Sequence, residues 1–219
     1  ISEVTRAHNL TLHMDGARFA NAIVGAGFTN MSSEASDSLL NPPLRYTPAD
    51  ITWRAGVDIL SFGATKNGAM AAEAVIFFNR NLAETFHFRR KRGGHLFSKM
   101  RFLSAQLEAY ITDNLWRRNA SHANKMAAKL ADGLNSIPGV NLLHPVEANE
   151  IFAELPEAVI QGLYGEGFQF YRWEGEGSTI VRLVTAFNTR EEDVAAFIET
   201  AKRYSTPAYS PAMGELTGV

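Results

Sequence analysis

Two short apolar runs constrain this chain most, because each ends in a charged residue set among glycines and small side chains. The first, Leu10 to Met14, leads into Asp15-Gly16-Ala17-Arg18. The second, Val57 to Phe62, follows Gly56 and leads into Gly63-Ala64-Thr65-Lys66-Asn67-Gly68. A short apolar run bounded by glycine reads as a buried strand. Between them, Ala17 to Ala26 is rich in small apolar residues and reads as a tightly packed helix stopped by Gly27. Thr29 to Pro48 is a polar connection, and Ala49 to Arg54 reads as a helical turn, since proline suits the first helical position. Ala72 to Phe78 reads as a further strand, and Ile1 to His8 as the tail of a helix ended by Asn9. Helix, strand, helix, strand, strand in this order predicts an α/β layer with a parallel or mixed sheet.

Long helical patterns follow, from Asn81 to about Leu115 and from Ser121 to Ser136, with Pro138-Gly139 ending the second. Short strands are then expected at Val140–Leu143, Glu150–Leu155, Phe168–Trp173 and Thr179–Phe187, with helices over Pro156–Gly162 and Arg190–Arg203. That mixture predicts a smaller α+β domain. The expected division is 1–118 for a larger α/β domain, 119–204 for the smaller one, and 205–219 for a tail carrying Pro207, Pro211, Gly214 and Gly218.

Composition bounds the function classes. A chain of 219 residues can bury roughly 70% of its unfolded surface, so a core needs no metal or disulfide staple. The longest apolar stretch, near Ala69 to Phe78, is broken by Glu73 and falls far short of a membrane span. A net charge of −2 gives no overall pull toward nucleic acid or an anionic membrane. The chain has no cysteine, which excludes disulfides, thiolate metal sites and a cysteine nucleophile, and fits a reducing compartment such as the cytoplasm. The six histidines fall into no metal-ligand spacing, and neither a G-x-S-x-G element nor a phosphate-binding P-loop is present.

Four places carry candidate chemistry. Asp15 ends a strand, where open α/β sheets bind ligands, and Arg18 follows on the first helical turn. A protonated ring nitrogen on a ligand would suit this carboxylate; the alternative is a cap on the following helix. Lys66 sits just past a strand end between small residues that let a ligand approach. Partial desolvation there would favour Schiff-base chemistry, with Ser61 and Thr65 supplying hydroxyls; the alternative is a solvated lysine. Arg182, in Val181-Arg182-Leu183-Val184-Thr185, either points to solvent by strand alternation or offers a planar fork to a carboxylate. The cations Arg89, Arg90, Lys91 and Arg92, before Gly93-Gly94-His95, read as a solvated face, a subunit contact or a phosphate contact.

Taken together, His13-Met14-Asp15-Gly16-Ala17-Arg18 followed by Ser61-Phe62-Gly63-Ala64-Thr65-Lys66-Asn67-Gly68 resembles the threonine aldolase and β-eliminating lyase family, pyridoxal-phosphate enzymes of the aspartate-aminotransferase fold, fold type I. Thr65-Lys66-Asn67-Gly68, with His95-Leu96-Phe97-Ser98-Lys99-Met100-Arg101-Phe102-Leu103 beyond it, is most similar to the phenylserine aldolase branch. The resemblance implies that Lys66 is catalytic and binds pyridoxal phosphate as a Schiff base. It implies that Asp15 pairs with the pyridine nitrogen, that Arg18 and Thr65 lie at the cofactor, and that Arg182 and Arg18 bind the amino acid substrate. The implied reaction cleaves β-hydroxy-α-amino acids to glycine and an aldehyde. Other readings are an aminotransferase or β-eliminating lyase of the same fold, or a non-catalytic remnant. The resemblance also implies a homodimer or homotetramer with shared active sites, to which Arg89–Arg92 would contribute. It further implies that this sequence is the later part of a longer enzyme, lacking the glycine-rich phosphate cup and a stacking histidine. Uncovered apolar surface is therefore expected on the layer that holds Asp15 and Lys66.

Overall fold

In the computed structural model, residues 1–26 and 46–205 are described. The expected helix stop at Gly27, most of the 29–48 connection and the tail from 206 lie outside them. A short helix, α1 (Ser2–Ala7), precedes strand β1 (His13–Gly16), and α2 (Phe19–Gly25) follows directly. Strand β2 (Ile59–Gly63) pairs with β1 in parallel, and β3 (Glu73–Phe77) pairs with β2 in antiparallel, giving a sheet of order β1-β2-β3.

The first strand lies further along the chain than its apolar run. Leu12 is fastened to the start of the second strand instead: its N–H donates to the Asp58 carboxylate at 2.9 Å, and its carbonyl accepts from the Asp58 N–H. The ladder then begins at His13 and carries the turn-prone Asp15-Gly16 pair within it, opposite Ser61 and Phe62. Parallel pairing overrides local turn propensity here. Glycine is required at position 16, since a Cβ would lie 2.5 Å from the Ser61 carbonyl oxygen.

One face of this sheet is buried. Leu60 packs with Phe19, Ala20, Ile23 and Val24 of α2 and with Ala120, and Met14, Phe62 and Trp116 border the cluster. Phe19 and Phe62 meet edge-on with centroids 5.8 Å apart. Ile23 is fully buried, so Ile23→Ala is expected to cost about 2–5 kcal/mol through lost transfer energy and the cavity left behind. A fall in the urea midpoint measures it.

The helical pattern after the third strand is interrupted more than its periodicity predicts. It resolves into α3 (Phe86–Arg92) and α4 (Arg101–Ile111), with 3₁₀ turns at Arg80–Ala83 and Thr112–Asn114. Gly94 takes φ +77°, and Lys99, Asp113 and Asn114 also take left-handed conformations. The long helix α5 (Leu115–Asn135) starts earlier than expected. Ser121, the expected start of this helix, lies within it and donates its hydroxyl to the Arg117 carbonyl one turn back. Residues 118–121 therefore lie inside a continuous helix.

Chain contacts divide the molecule into two compact units. One comprises Ile1–Lys129, Pro145–Glu150 and Val184–Arg190; the other comprises Leu130–His144, Ile151–Leu183 and the chain from Glu191 onward. The second unit holds β4 (Asn141–Leu142), most of β5 (Glu150–Glu154), α6 (Glu157–Gly165), β6 (Tyr171–Arg172), most of β7 (Ile180–Val184) and α7 (Glu191–Ser205). Its strands run in the order β4-β5-β7-β6. Ile151, Ala153, Val181 and Leu183 alternate into the interior, and Val159, Ile160, Leu163 and Val194 are also buried. Among the described residues, no helix is long and apolar enough to cross a membrane.

On this unit's surface, Arg172 grips both carboxylate oxygens of Glu157 at 2.6 and 2.8 Å. The Arg172 and Gln161 hydrogen bonds hold the Glu157 carboxyl at about 2, below its ordinary 4.5. A depressed carboxyl contributes stability above its ordinary value and loses it as pH falls toward the folded value. The difference in urea midpoint between the parent and Glu157→Gln is therefore expected to close as pH drops from about 4.5 to about 2.

Candidate active site

Because β1 and β2 run parallel, both of their carboxyl ends lie at the same end of the sheet. Asp15 stands opposite Ser61, and Lys66 lies in the 3₁₀ turn Thr65–Asn67 immediately beyond β2. Pleating sends Met14, Leu60 and Phe62 to the core face and His13, Asp15 and Ser61 to the other. On that second face His13 Nε2 lies 2.9 Å from Ser61 Oγ. Val75, the register partner of Ser61, is 43% exposed beside them.

Asp15 is exposed, and its Oδ1 accepts the Ala17 N–H at 3.0 Å. That bond turns the chain from strand toward helix, but it does not cap α2, whose N-cap is Arg18. Among the described residues no other group bonds to the carboxylate, which leaves an oxygen available to a ligand. The Arg18 guanidinium forms an ion pair with Glu150 at 3.0 Å, while its buried Nε has no hydrogen-bond partner among the described residues.

Lys66 is exposed, so the partial desolvation expected for it is absent from the described residues. Its neighbours explain why. Asn67 takes the buried place, donating from Nδ2 to the Tyr110 hydroxyl at 2.7 Å and to the Trp116 carbonyl at 2.8 Å. Asn119 Nδ2 donates to the Asn67 carbonyl at 2.9 Å. On the other flank, the Thr65 N–H donates to Glu73 Oε1 at 3.2 Å, and the Thr65 hydroxyl accepts the Ala72 N–H at 3.1 Å. Gln106 Oε1 accepts the N–H groups of Met70 and Ala71. The lysine thus rises from a turn fastened on both sides. Burial pushes the Tyr110 phenol up to about 12, against an opposing effect of the Asn67 hydrogen bond. It stays protonated throughout the physiological range.

Arg182 lies in the second unit, on β7 opposite Tyr171 of β6. Its guanidinium stands over the Trp173 ring, 5.6 Å from the centroid, and Phe152 meets that ring edge-on at 5.0 Å. The half-buried arginine is thus held by an aromatic face. Arg89, Arg90, Lys91 and Arg92 are all exposed on α3. Among the described residues no cluster of three or more His, Asp or Glu side chains is arranged to hold a metal ion.

The structure therefore joins Asp15 and the Lys66 turn at one sheet end, with Arg18 on the loop between strand and helix. Sequence reading does not reach Asn67, Tyr110, Asn119, Gln106 or Glu150. Asn67 stands within the motif beside Lys66, which is the one local signal; its partners lie 43 to 52 residues away.

The family model described as beta-eliminating lyase matches residues 1–158. A low specificity L-threonine aldolase of a Pseudomonas species is 42% identical over 194 residues, which is 89% of this chain and 50% of the relative. That of Pseudomonas aeruginosa is 43% identical with the same coverage. The chain spans about half the length of the curated relatives it matches. Among solved structures, Leishmania major threonine aldolase superposes with a TM-score of 0.77 at 33% identity, covering 94% of this chain and 55% of that one. The α-aminoadipate aminotransferase of Thermus thermophilus, at 14% identity, a TM-score of 0.58, 93% of this chain and 52% of that one, shares the fold alone. The architecture is that of fold type I. With the match covering both the aspartate strand and the lysine turn, the chain belongs to the beta-eliminating lyase family.

Proposed function

We propose that this chain supplies the lysine, aspartate and arginine of a pyridoxal-phosphate aldolase, a carbon–carbon lyase that cleaves β-hydroxy-α-amino acids of the L-threonine or phenylserine type to glycine and an aldehyde. The observation that carries this reading is the parallel β1–β2 pair, which sets the Asp15 carboxylate and the Lys66 amine at one end of a sheet. The donor set fits the cofactor: an exposed primary amine for its aldehyde, and a carboxylate with an oxygen to spare for a protonated ring nitrogen. When bound, pyridoxal phosphate supplies the electron sink that lets a bond at the amino acid Cα break.

The chain's own residues do the rest. Lys66 holds the cofactor covalently through its Nζ. Asp15 keeps a proton on the ring nitrogen by opposite charge, while its Oδ1 remains tied to the Ala17 N–H. Arg18, on the same loop, carries a buried Nε with a donor to offer beside its Glu150 pair. Arg182 grips the substrate carboxylate with a planar fork, and Trp173 holds the plane of that fork. Thr65 acts through the turn, since its hydroxyl and N–H are taken by Ala72 and Glu73. The threonine aldolases among the relatives support the aldolase chemistry. The exposed cations and Phe88 of α3 support a contact between copies in a homodimer or homotetramer.

Pyridoxal phosphate added to the chain is expected to give the absorbance band of a protonated lysine imine. With L-threonine, glycine and acetaldehyde are expected in equal amounts with no 2-oxo acid consumed. Consumption of a 2-oxo acid would point to an aminotransferase, and absence of the band would remove the enzyme reading for this chain.

A further inference from the structure

The hydrogen bonds around Lys66 are distributed unevenly. The lysine itself is exposed and its amine has no hydrogen bond or ion pair among the described residues, whereas the next residue, Asn67, is 3% exposed and takes part in four hydrogen bonds, one of them from its N–H to the Ala64 carbonyl within the turn. Its Nδ2 reaches the Tyr110 hydroxyl and the Trp116 carbonyl, and its own carbonyl accepts from Asn119. Tyr110 is itself 3% exposed, with its ring 5.9 Å from Phe62 of the central strand. Gly68, next in the turn, takes φ +117°, and a Cβ there would lie 2.7 Å from Asn119 Nδ2. A one-turn 3₁₀ segment has too few internal hydrogen bonds to hold a rotamer-rich lysine in place. The anchor must come from outside the turn.

We propose that Asn67, Tyr110 and Asn119 form a positioning clamp that fixes the height and direction of the Lys66 amine for reaction with the cofactor aldehyde. The clamp touches neither cofactor nor substrate. It acts by removing alternative conformations of the turn, so that the amine is presented in one reactive geometry. A buried side-chain amide that lost the Tyr110 oxygen would carry an unsatisfied donor and re-form the turn around a different bond. The inference rests on the reading of Lys66 as the cofactor's anchor.

The test traps the imine. The 219-residue chain is incubated with pyridoxal phosphate, reduced with borohydride, and digested, and the label on Lys66 is measured against that on Lys91, Lys99, Lys125, Lys129 and Lys202 as a function of pH. The parent is expected to label Lys66 preferentially. Tyr110→Phe keeps the ring and removes one hydrogen-bond partner; Asn119→Ala releases the turn from its other side. Each is expected to reduce the Lys66 preference about threefold to tenfold, the effect of one neutral hydrogen bond. Ile160→Val trims a buried side chain in the other unit and is expected to lower stability while leaving the Lys66 preference unchanged.

If Tyr110→Phe and Asn119→Ala both retain the parent preference, the clamp is overturned while the lysine's role stands. If Ile160→Val loses the preference equally, the effect is general destabilisation and the clamp is again overturned. If the parent itself labels Lys66 no faster than Lys91 or Lys202, the cofactor reading falls and the inference falls with it.

Discussion

On the proposed function, Lys66→Ala is expected to lower L-threonine cleavage by at least about 10³-fold, because it would remove both the covalent anchor and a proton-carrying amine at the reacting atoms. Gel filtration after loading should leave the variant without retained pyridoxal phosphate. The same substitution should be almost silent in folding. Lys66 is exposed, and the turn around it is held by Thr65 and Asn67 rather than by the lysine. A surface truncation of this kind changes stability by about 0.5 kcal/mol or less. Loss of cleavage together with loss of cofactor at an unchanged urea midpoint is the combination that identifies the anchor. Cofactor retention equal to the parent would assign the covalent role elsewhere.

Asp15→Asn is the second large effect, and the geometry lets charge be separated from structure. Asparagine retains an Oδ1 acceptor for the Ala17 N–H, so the exit from β1 keeps its hydrogen bond. What it loses is the negative charge that favours a protonated ring nitrogen. Turnover is expected to fall about 10²-fold or more, the scale of losing one preorganised electrostatic partner, while cofactor remains attached to Lys66. Asp15→Ala removes charge and turn bond together and should add a measurable loss of stability. A wild-type rate in Asp15→Asn would show that the carboxylate serves the turn and not the ring.

Local patterns in the chain specify much of this layer. Short apolar runs and glycine boundaries define the β2 and β3 strands within two residues, because buried strands and their glycine ends are properties of neighbouring residues. Where pairing decides, the pattern fails. Leu10 to Met14 has the right composition for a strand, yet the Asp58 contact shifts the ladder to His13–Gly16. The helical pattern begins at Ser121, yet the helix starts at Leu115 and Ser121 bonds backward inside it. The site divides in the same way. Asp15, Arg18 and Lys66 stand out because a strand end with small neighbours is visible locally. The Asn67–Tyr110 bond and the Arg18–Glu150 pair join residues far apart in the chain, so only the fold reveals them. Even the environments are set at that level. Lys66 is exposed because its neighbour occupies the interior, and no composition rule assigns which of two adjacent polar residues turns inward.

The long reach of the Asn67 anchor also orders events during synthesis. The turn bearing Lys66 is made 43 to 52 residues before Tyr110, Trp116 and Asn119, the groups that fasten it. At a ribosomal pace of about 5–20 residues per second, the nascent lysine waits roughly 2 to 10 s before its partners exist. On the proposed clamp, selective reaction with a cofactor would begin only once these later groups have closed on the turn.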